Sequence, residues 1–396
     1  MQMSVLYIAS LLLGGVGAWF ISRYAVRLGL MDVPNERSSH EIAMPVPKGG
    51  GIGILAAFVL GSVWLGISAS FWLSATLLAL LSFFGDRVDI SPKLRLLVQF
   101  IAALTLLSPV LYSESSSVFC PLFSALSPWI CVLCCLLLSF FIVGTANFYN
   151  FMDGINGIAG ITGAVGFGLL GFYAWLSGGE SSSVALAICM SLACLGFLPF
   201  NMPKARVFMG DVASILLGFV FAGMVVWLSK SLLDFVCMAA FIFPFYADEL
   251  STMVIRLKAH SPREQNLSRM SMLTKPHRRH LYQLLANEMK VAHWKVSMGY
   301  GILQVAVGAG AVMVHGYGMG VLFGYLGVWS AFFLGISVRV RARVAVLVSP
   351  ASENSFDSEE GQKQSVPKVL VPHEIREIIG SGDGKRRAQE GRKVRR

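Results

Sequence analysis

The sequence predicts an all-α polytopic membrane protein, and three observations carry that prediction. Hydrophobic residues make up 55% of the 396 positions and charged residues only 14%, against roughly a quarter charged in an average soluble domain. The charges are also segregated, so that whole stretches such as Ser4 to Ser22 contain no Asp, Glu, Lys or Arg. Finally, the apolar runs are long and lack strict alternation. In hydrocarbon every backbone polar group must be paired within the protein, which leaves helices or closed barrels, and runs of this kind are helical.

A bilayer core takes about 20 apolar residues in helix to cross. About eleven runs qualify, near 4–22, 51–68, 70–84, 96–112, 128–146, 157–176, 184–201, 212–229, 235–253, 296–314 and 317–338. The pair at 51–84 requires a hairpin around Ser68 to Ser70 between two short helices. Residues 1–22 lack a basic n-region and a small-residue cleavage site, so the segment is expected to be a retained first span. The seven cysteines (Cys120, Cys131, Cys134, Cys135, Cys189, Cys194, Cys237) lie in or beside apolar runs without partners for a metal, and read as small packing residues.

The connections after the odd-numbered runs, 23–50, 85–95, 147–156, 202–211 and 254–295, carry nearly all the Lys and Arg; the opposite ones hold little beyond Glu114, Glu180, Lys230, Asp234 and His315. The positive-inside rule makes the first set cytoplasmic, with the N-terminus periplasmic and the C-terminus cytoplasmic. The formal net charge of +10 is then a consequence of orientation, not a sign of nucleic-acid binding. A membrane domain is expected over 1–345. A disordered cytoplasmic tail is expected over 346–396, where Ser, Glu, Gly and Lys replace apolar residues and the end is basic.

Polar residues of catalytic type collect at the cytoplasmic ends of separate spans. In the segment 147–157, Asn147, Asn150, Asp153 and Asn156 recur every third position, one face of a helical turn. Their oxygens suit Mg²⁺, or Mn²⁺ in its place; a polar turn that caps the next helix is the competing reading. Phe208-Met209-Gly210-Asp211 directly precedes an apolar run, so Asp211 is either an N-cap or a metal-holding carboxylate at the membrane edge. Asp86 and Asp89 lie in a third loop, which could equally be merely solvated. His277, Arg278, Arg279 and His280 form a basic loop with Arg256, Lys258, Arg263 and Arg269 nearby, placed either to bind a diphosphate or only to orient the chain. Asp248 and Glu249 are charges at membrane depth, which by default marks function. Carboxylates and amides facing Arg and His between lipid and cytosol suit phosphoryl chemistry on an amphiphilic substrate. A transporter or lipid flippase is the alternative, and it requires polar residues on both sides of the midplane.

These residues resemble the polyprenyl-phosphate N-acetylhexosamine-1-phosphate transferases, over about residues 20 to 340. Asp32-Val33-Pro34-Asn35-Glu36-Arg37-Ser38-Ser39-His40 with Pro45, Pro47, Lys48, Gly49 and Gly50 is similar to the family's first cytoplasmic loop. Asn150, Asp153, Gly154, Gly157, the Phe208 to Asp211 element and the histidine loop follow in the family's order. The resemblance implies attack of undecaprenyl phosphate on the β-phosphorus of a UDP-N-acetylhexosamine, releasing UMP, with Mg²⁺. It assigns magnesium to Asn150 and Asp211, acidic catalytic positions to Asp86 and Asp153, and substrate binding to Lys48, Asp248, His277, Arg278, Arg279 and His280. Phe208 is assigned stacking on uracil.

Three departures matter. Gly85-Asp86 stands where the family often has two aspartates, which leaves the base unassigned; Asn156 replaces a second acidic position; and the triple-His loop of the muramyl-pentapeptide branch is missing. The chain looks nearest the O-antigen-initiating branch, which implies GlcNAc or a 6-deoxy relative such as N-acetylfucosamine, in the bacterial inner membrane. A homodimer is left open by glycine-rich stretches such as Gly301 to Gly320.

Overall fold

The computed structural model describes residues 2–34, 44–85, 91–111, 119, 127–258 and 279–348. Asp86, His277, Arg278, the 35–43 stretch and the tail from 349 lie outside the described residues.

The helices in chain order are α1 (Gln2–Leu28), α2 (Ile52–Trp64), α3 (Ala69–Gly85), α4 (Pro92–Leu111), α5 (Pro128–Met152), α6 (Ile158–Leu176), α7 (Ser181–Asn201), α8 (Asp211–Leu228), α9 (Leu232–Ala239), α10 (Phe243–Lys258), α11 (Leu281–Gln283), α12 (His293–His315) and α13 (Met319–Val348). Strand is confined among the described residues to β1 (Met31–Asp32) and β2 (Val46–Pro47), antiparallel with Met31 opposite Pro47, which closes the base of the first loop. The chain divides into two units, Met1–Ala345 and Val346–Arg396.

The protein is thus all-α and polytopic, but helix length departs from expectation. Each of the eleven expected runs carries helix, yet only seven of the described helices (α1, α5, α6, α7, α8, α12 and α13) are long and apolar enough to cross a membrane. The runs at 51–84 form helices of 13 and 17 residues, joined through Gly66 at φ +67°. The run at 235–253 is not one span: α9 passes through a 3₁₀ turn, Ala240–Ile242, into α10. Pro244 explains the break, because it has no N–H to return to the preceding turn. Buried Gln304 of α12 compensates by donating to the carbonyls of Phe241 (2.7 Å) and Thr162 (3.0 Å).

Helix α8 is the axis of the packing, with every residue from Val212 to Val226 buried. It lies against α5 at Gly218, where a Cβ would come within 2.7 Å of Ala146 Cα and Tyr149 Cβ. Without a hydrophobic force between helices in lipid, such close backbone approach is what holds them together. The same device joins α1 to α7, where side chains on Gly14 and Gly196 would overlap the carbonyls of Ala193 and Leu11. The α5–α8 contact sets up the site, since the last turn of α5 meets the first turn of α8.

Candidate active site

Asn150, in that last turn, donates through Nδ2 to Asp211 Oδ1 (3.1 Å) and to Ser214 Oγ (2.8 Å). From the start of α4, Arg95 Nη1 donates to Asp211 Oδ2 at 3.1 Å. Asp211 is therefore not the N-cap. Gly210 occupies that position at φ +78°, and Asp211 opens the helix with its carboxylate turned to Asn150 and Arg95. The positive end of the α8 dipole favours a carboxylate there. One turn along α4 and α5, Gln99 and Asn147 exchange amide hydrogen bonds of 3.3 and 2.7 Å, fixing the register that lets Arg95 and Asn150 reach Asp211.

Asp153 follows directly as the C-cap of α5. Burial, and after it the negative charge of Asp211, push its carboxyl up to about 7, against the pull of Lys48. Lys48 arrives with the first loop, whose backbone is stitched to the 206–210 segment. Phe208 N–H donates to Pro47 O (2.7 Å), and the N–H groups of Gly49 and Gly50 donate to Phe208 O (3.2 and 2.9 Å). Phe208 is half-buried at this seam.

The three-residue period stops being one face at Met152, where the helix ends. Asn156 consequently turns away, its N–H toward His293 Nδ1 (3.4 Å), its amide toward Pro203 O (3.4 Å), and its carbonyl receiving Ser297 Oγ (2.7 Å). Asn201 takes the Gly157 N–H (2.6 Å) and gives to Val207 O (2.9 Å), tying the Asp153 loop to the Phe208 loop. Position 156 thus serves the scaffold.

Of the basic loop, Arg279 and His280 are described. Arg279 is exposed. His280 is buried between two carboxylates, with Nδ1 3.8 Å from Asp248 Oδ1 and Nε2 3.5 Å from Glu249 Oε2. Asp248 is itself fully buried and bonded within the protein. The geometry therefore draws Asn150, Asp153, Asp211, Lys48 and Phe208 together, and sets Asp248 and His280 behind the loop that bears Arg279. Sequence reading missed Arg95, Gln99 and Ser214; the i, i+4 placement of Arg95 and Gln99 on an otherwise apolar helix was the available signal.

Among the described residues no three His, Cys, Asp or Glu side chains are grouped to hold a metal. Mg²⁺ does not need three, because it keeps water and substrate phosphate in its shell beside one or two carboxylates. Asp211 and Asn150 carry oxygens of the type such an ion takes.

Residues 68–229 match the sequence model of glycosyl transferase family 4. Over that stretch the chain is similar to members of this family. Among its relatives, a probable undecaprenyl-phosphate N-acetylglucosaminyl 1-phosphate transferase of Bacillus subtilis is 29% identical over 222 residues, 54% of this chain and 60% of that protein. The undecaprenyl-phosphate α-N-acetylglucosaminyl 1-phosphate transferase of Salmonella typhi is 28% identical over 219 residues, 53% of this chain and 57% of that protein. A phospho-N-acetylmuramoyl-pentapeptide-transferase of Staphylococcus saprophyticus is 32% identical over 173 residues, 43% of this chain and 50% of that one. The chain thus spans half to three-fifths of the length of these relatives.

Proposed function

We propose that the protein transfers an N-acetylhexosamine 1-phosphate from a UDP-sugar to undecaprenyl phosphate, releasing UMP and starting a cell-surface glycan such as O-antigen, at the cytoplasmic face of a bacterial inner membrane. The observation that carries this reading is the Asn150–Asp211–Arg95 cluster with Asp153 beside it, at the ends of spanning helices. Relatives named for N-acetylglucosaminyl 1-phosphate transfer support the choice of GlcNAc, as does the His-Arg-Arg-His order of residues 277–280 where the muramyl-pentapeptide branch has three histidines.

One diphosphate replaces another in this reaction, so the demand is for alignment and charge neutralisation. Magnesium, when bound at Asp211 and Asn150, would supply Lewis-acid neutralisation of the diphosphate. Arg95 and Lys48 supply cations of this chain around the same place, and Arg offers planar two-point contacts to phosphate oxygens. Asp153, raised to about 7 by burial and by Asp211, is suited to take the proton of an incoming lipid phosphate, because a general base works best near the ambient pH. Phe208 offers a half-buried ring for the uracil.

The test is transfer of labelled sugar phosphate from UDP-GlcNAc and UDP-N-acetylfucosamine to undecaprenyl phosphate in detergent, with and without Mg²⁺, for wild type and Asp211→Ala. Metal-dependent lipid product that disappears in the variant is the expected result. Folded wild type that makes no product from any UDP-N-acetylhexosamine would overturn the proposal.

A further inference from the structure

Behind Arg279, four helices meet at one buried carboxylate. Asp248 of α10 is 0% exposed. Its Oδ1 receives the N–H of Leu281 (2.8 Å) and the hydroxyl of Thr252 (3.3 Å); its Oδ2 receives the N–H of Tyr282 (3.2 Å) and the hydroxyl of Tyr300 in α12 (2.7 Å). Thr252 in turn accepts from Arg341 Nη2 of α13 at 3.1 Å. A carboxylate has about four lone-pair sites, so donors from within the chain saturate this one. That leaves Asp248 as the cap on the first N–H groups of α11, which would otherwise be unpaired in a buried place.

The capped turn is fastened at its far side as well. Tyr282 is buried, and its hydroxyl donates to the carbonyl of Phe151 (3.0 Å), one residue after Asn150 and two before Asp153. The ring covers Gly154, where a Cβ would overlap the Tyr282 hydroxyl. His280 stacks on the outer side of that ring, with centroids 5.7 Å apart and planes 19° from parallel.

We propose that Asp248 and Tyr282 are positioning residues that lock the 279–282 turn onto the Asp153 loop, fixing Arg279 relative to Asp153 and Asp211. This rests on the transferase reading for its consequence, and on the hydrogen bonds above for its geometry. Asp248 holds the turn by its backbone, and Tyr282 transmits that placement to the end of α5. The glycine at 154 is required because the Tyr282 hydroxyl lies where a side chain would go.

The test pairs a functional rescue with hydrogen exchange on the detergent-solubilised full chain. Gly154→Ala, which pushes the turn off its seat, is expected to lower transfer by about 100-fold, the scale of a 1 Å misplacement of catalytic groups. Tyr282→Phe removes the overlapping atom, so the Gly154→Ala/Tyr282→Phe double variant is expected to recover activity above Gly154→Ala alone. A double variant no better than the single overturns the proposal. In Tyr282→Phe alone, peptides covering 150–157 and 279–290 should both exchange faster than in wild type, because one bond joins them. Faster exchange in only one of them, or in neither, also overturns it. If wild type transfers nothing, the transferase reading fails while the exchange comparison still decides the coupling of the two loops.

Discussion

Asn150 places both of its observed donations on α8, one to Asp211 and one to Ser214. Removing one acceptor and removing the donor itself should therefore have unequal effects. Ser214→Ala takes away a neutral hydrogen bond, worth about 0.5–1.5 kcal/mol, and is expected to lower transfer by no more than about tenfold. Asn150→Ala removes the amide proposed to share the magnesium site and is expected to cost about 10²–10³-fold in kcat, the range seen when a charge-stabilising group is lost. Steady-state kinetics on the two variants check the order.

A second residue-scale expectation concerns the opposite end of the bundle, where Asp234 Oδ2 accepts the N–H of Lys230 (3.1 Å) and Oδ1 lies 2.7 Å from His315 Nε2. Burial pushes this carboxyl up, but bonds from Tyr173, Ser231 and His315 outweigh it and hold the group below its usual value. A depressed folded pKa gives stability that is present above the unfolded value of about 3.9 and is lost as pH falls through the folded one. Thermal melts in detergent between pH 7 and pH 3 should thus fall more steeply at the acid end for wild type than for Asp234→Asn.

Between elements, the decisive feature is how closely two helices approach. Gly218 of α8 lies against the backbone of α5 between Ala146 and Tyr149, so the Asn150–Asp211 bond exists only at that separation. Gly218→Leu would force the helices apart at a tightly packed point, where overpacking typically costs about 1–3 kcal/mol. A lower melting temperature together with lost transfer is expected. Retained transfer in a destabilised protein would show that the site tolerates a wider spacing. The broken helix at Ala240–Ile242 belongs to the same scale: a proline inside an apolar run was legible, but the Gln304 side chain that satisfies the break comes from sixty residues onward.

For the molecule as a whole, the proposed orientation rests on charge, since the loops bearing the candidate site also bear the Lys and Arg. Alkaline phosphatase joined after Gly178 should be active, whereas a fusion after Lys204 should be inactive and a fluorescent protein at the C-terminus should fold; the reverse pattern would invert the proposed topology. A transport path through the centre is hard to reconcile with α8, where Val212 to Val226 is buried without a charged residue.

The sequence alone determined the helical membrane class, because hydrophobic runs and their charged connections are local properties that lipid imposes on each segment. It also singled out Asn150, Asp153, Asp211 and Lys48 as candidates, because their motifs lie in short stretches of chain. Tertiary structure decided which of these residues meet. Arg95 and Asp211 are separated by 116 positions, and Asp248 reaches Leu281 across 33; no periodicity encodes such partners. It also decided which polar residues are bonded within the protein, as Asn156 and Asp248 are, because a buried polar group draws its partners from other helices.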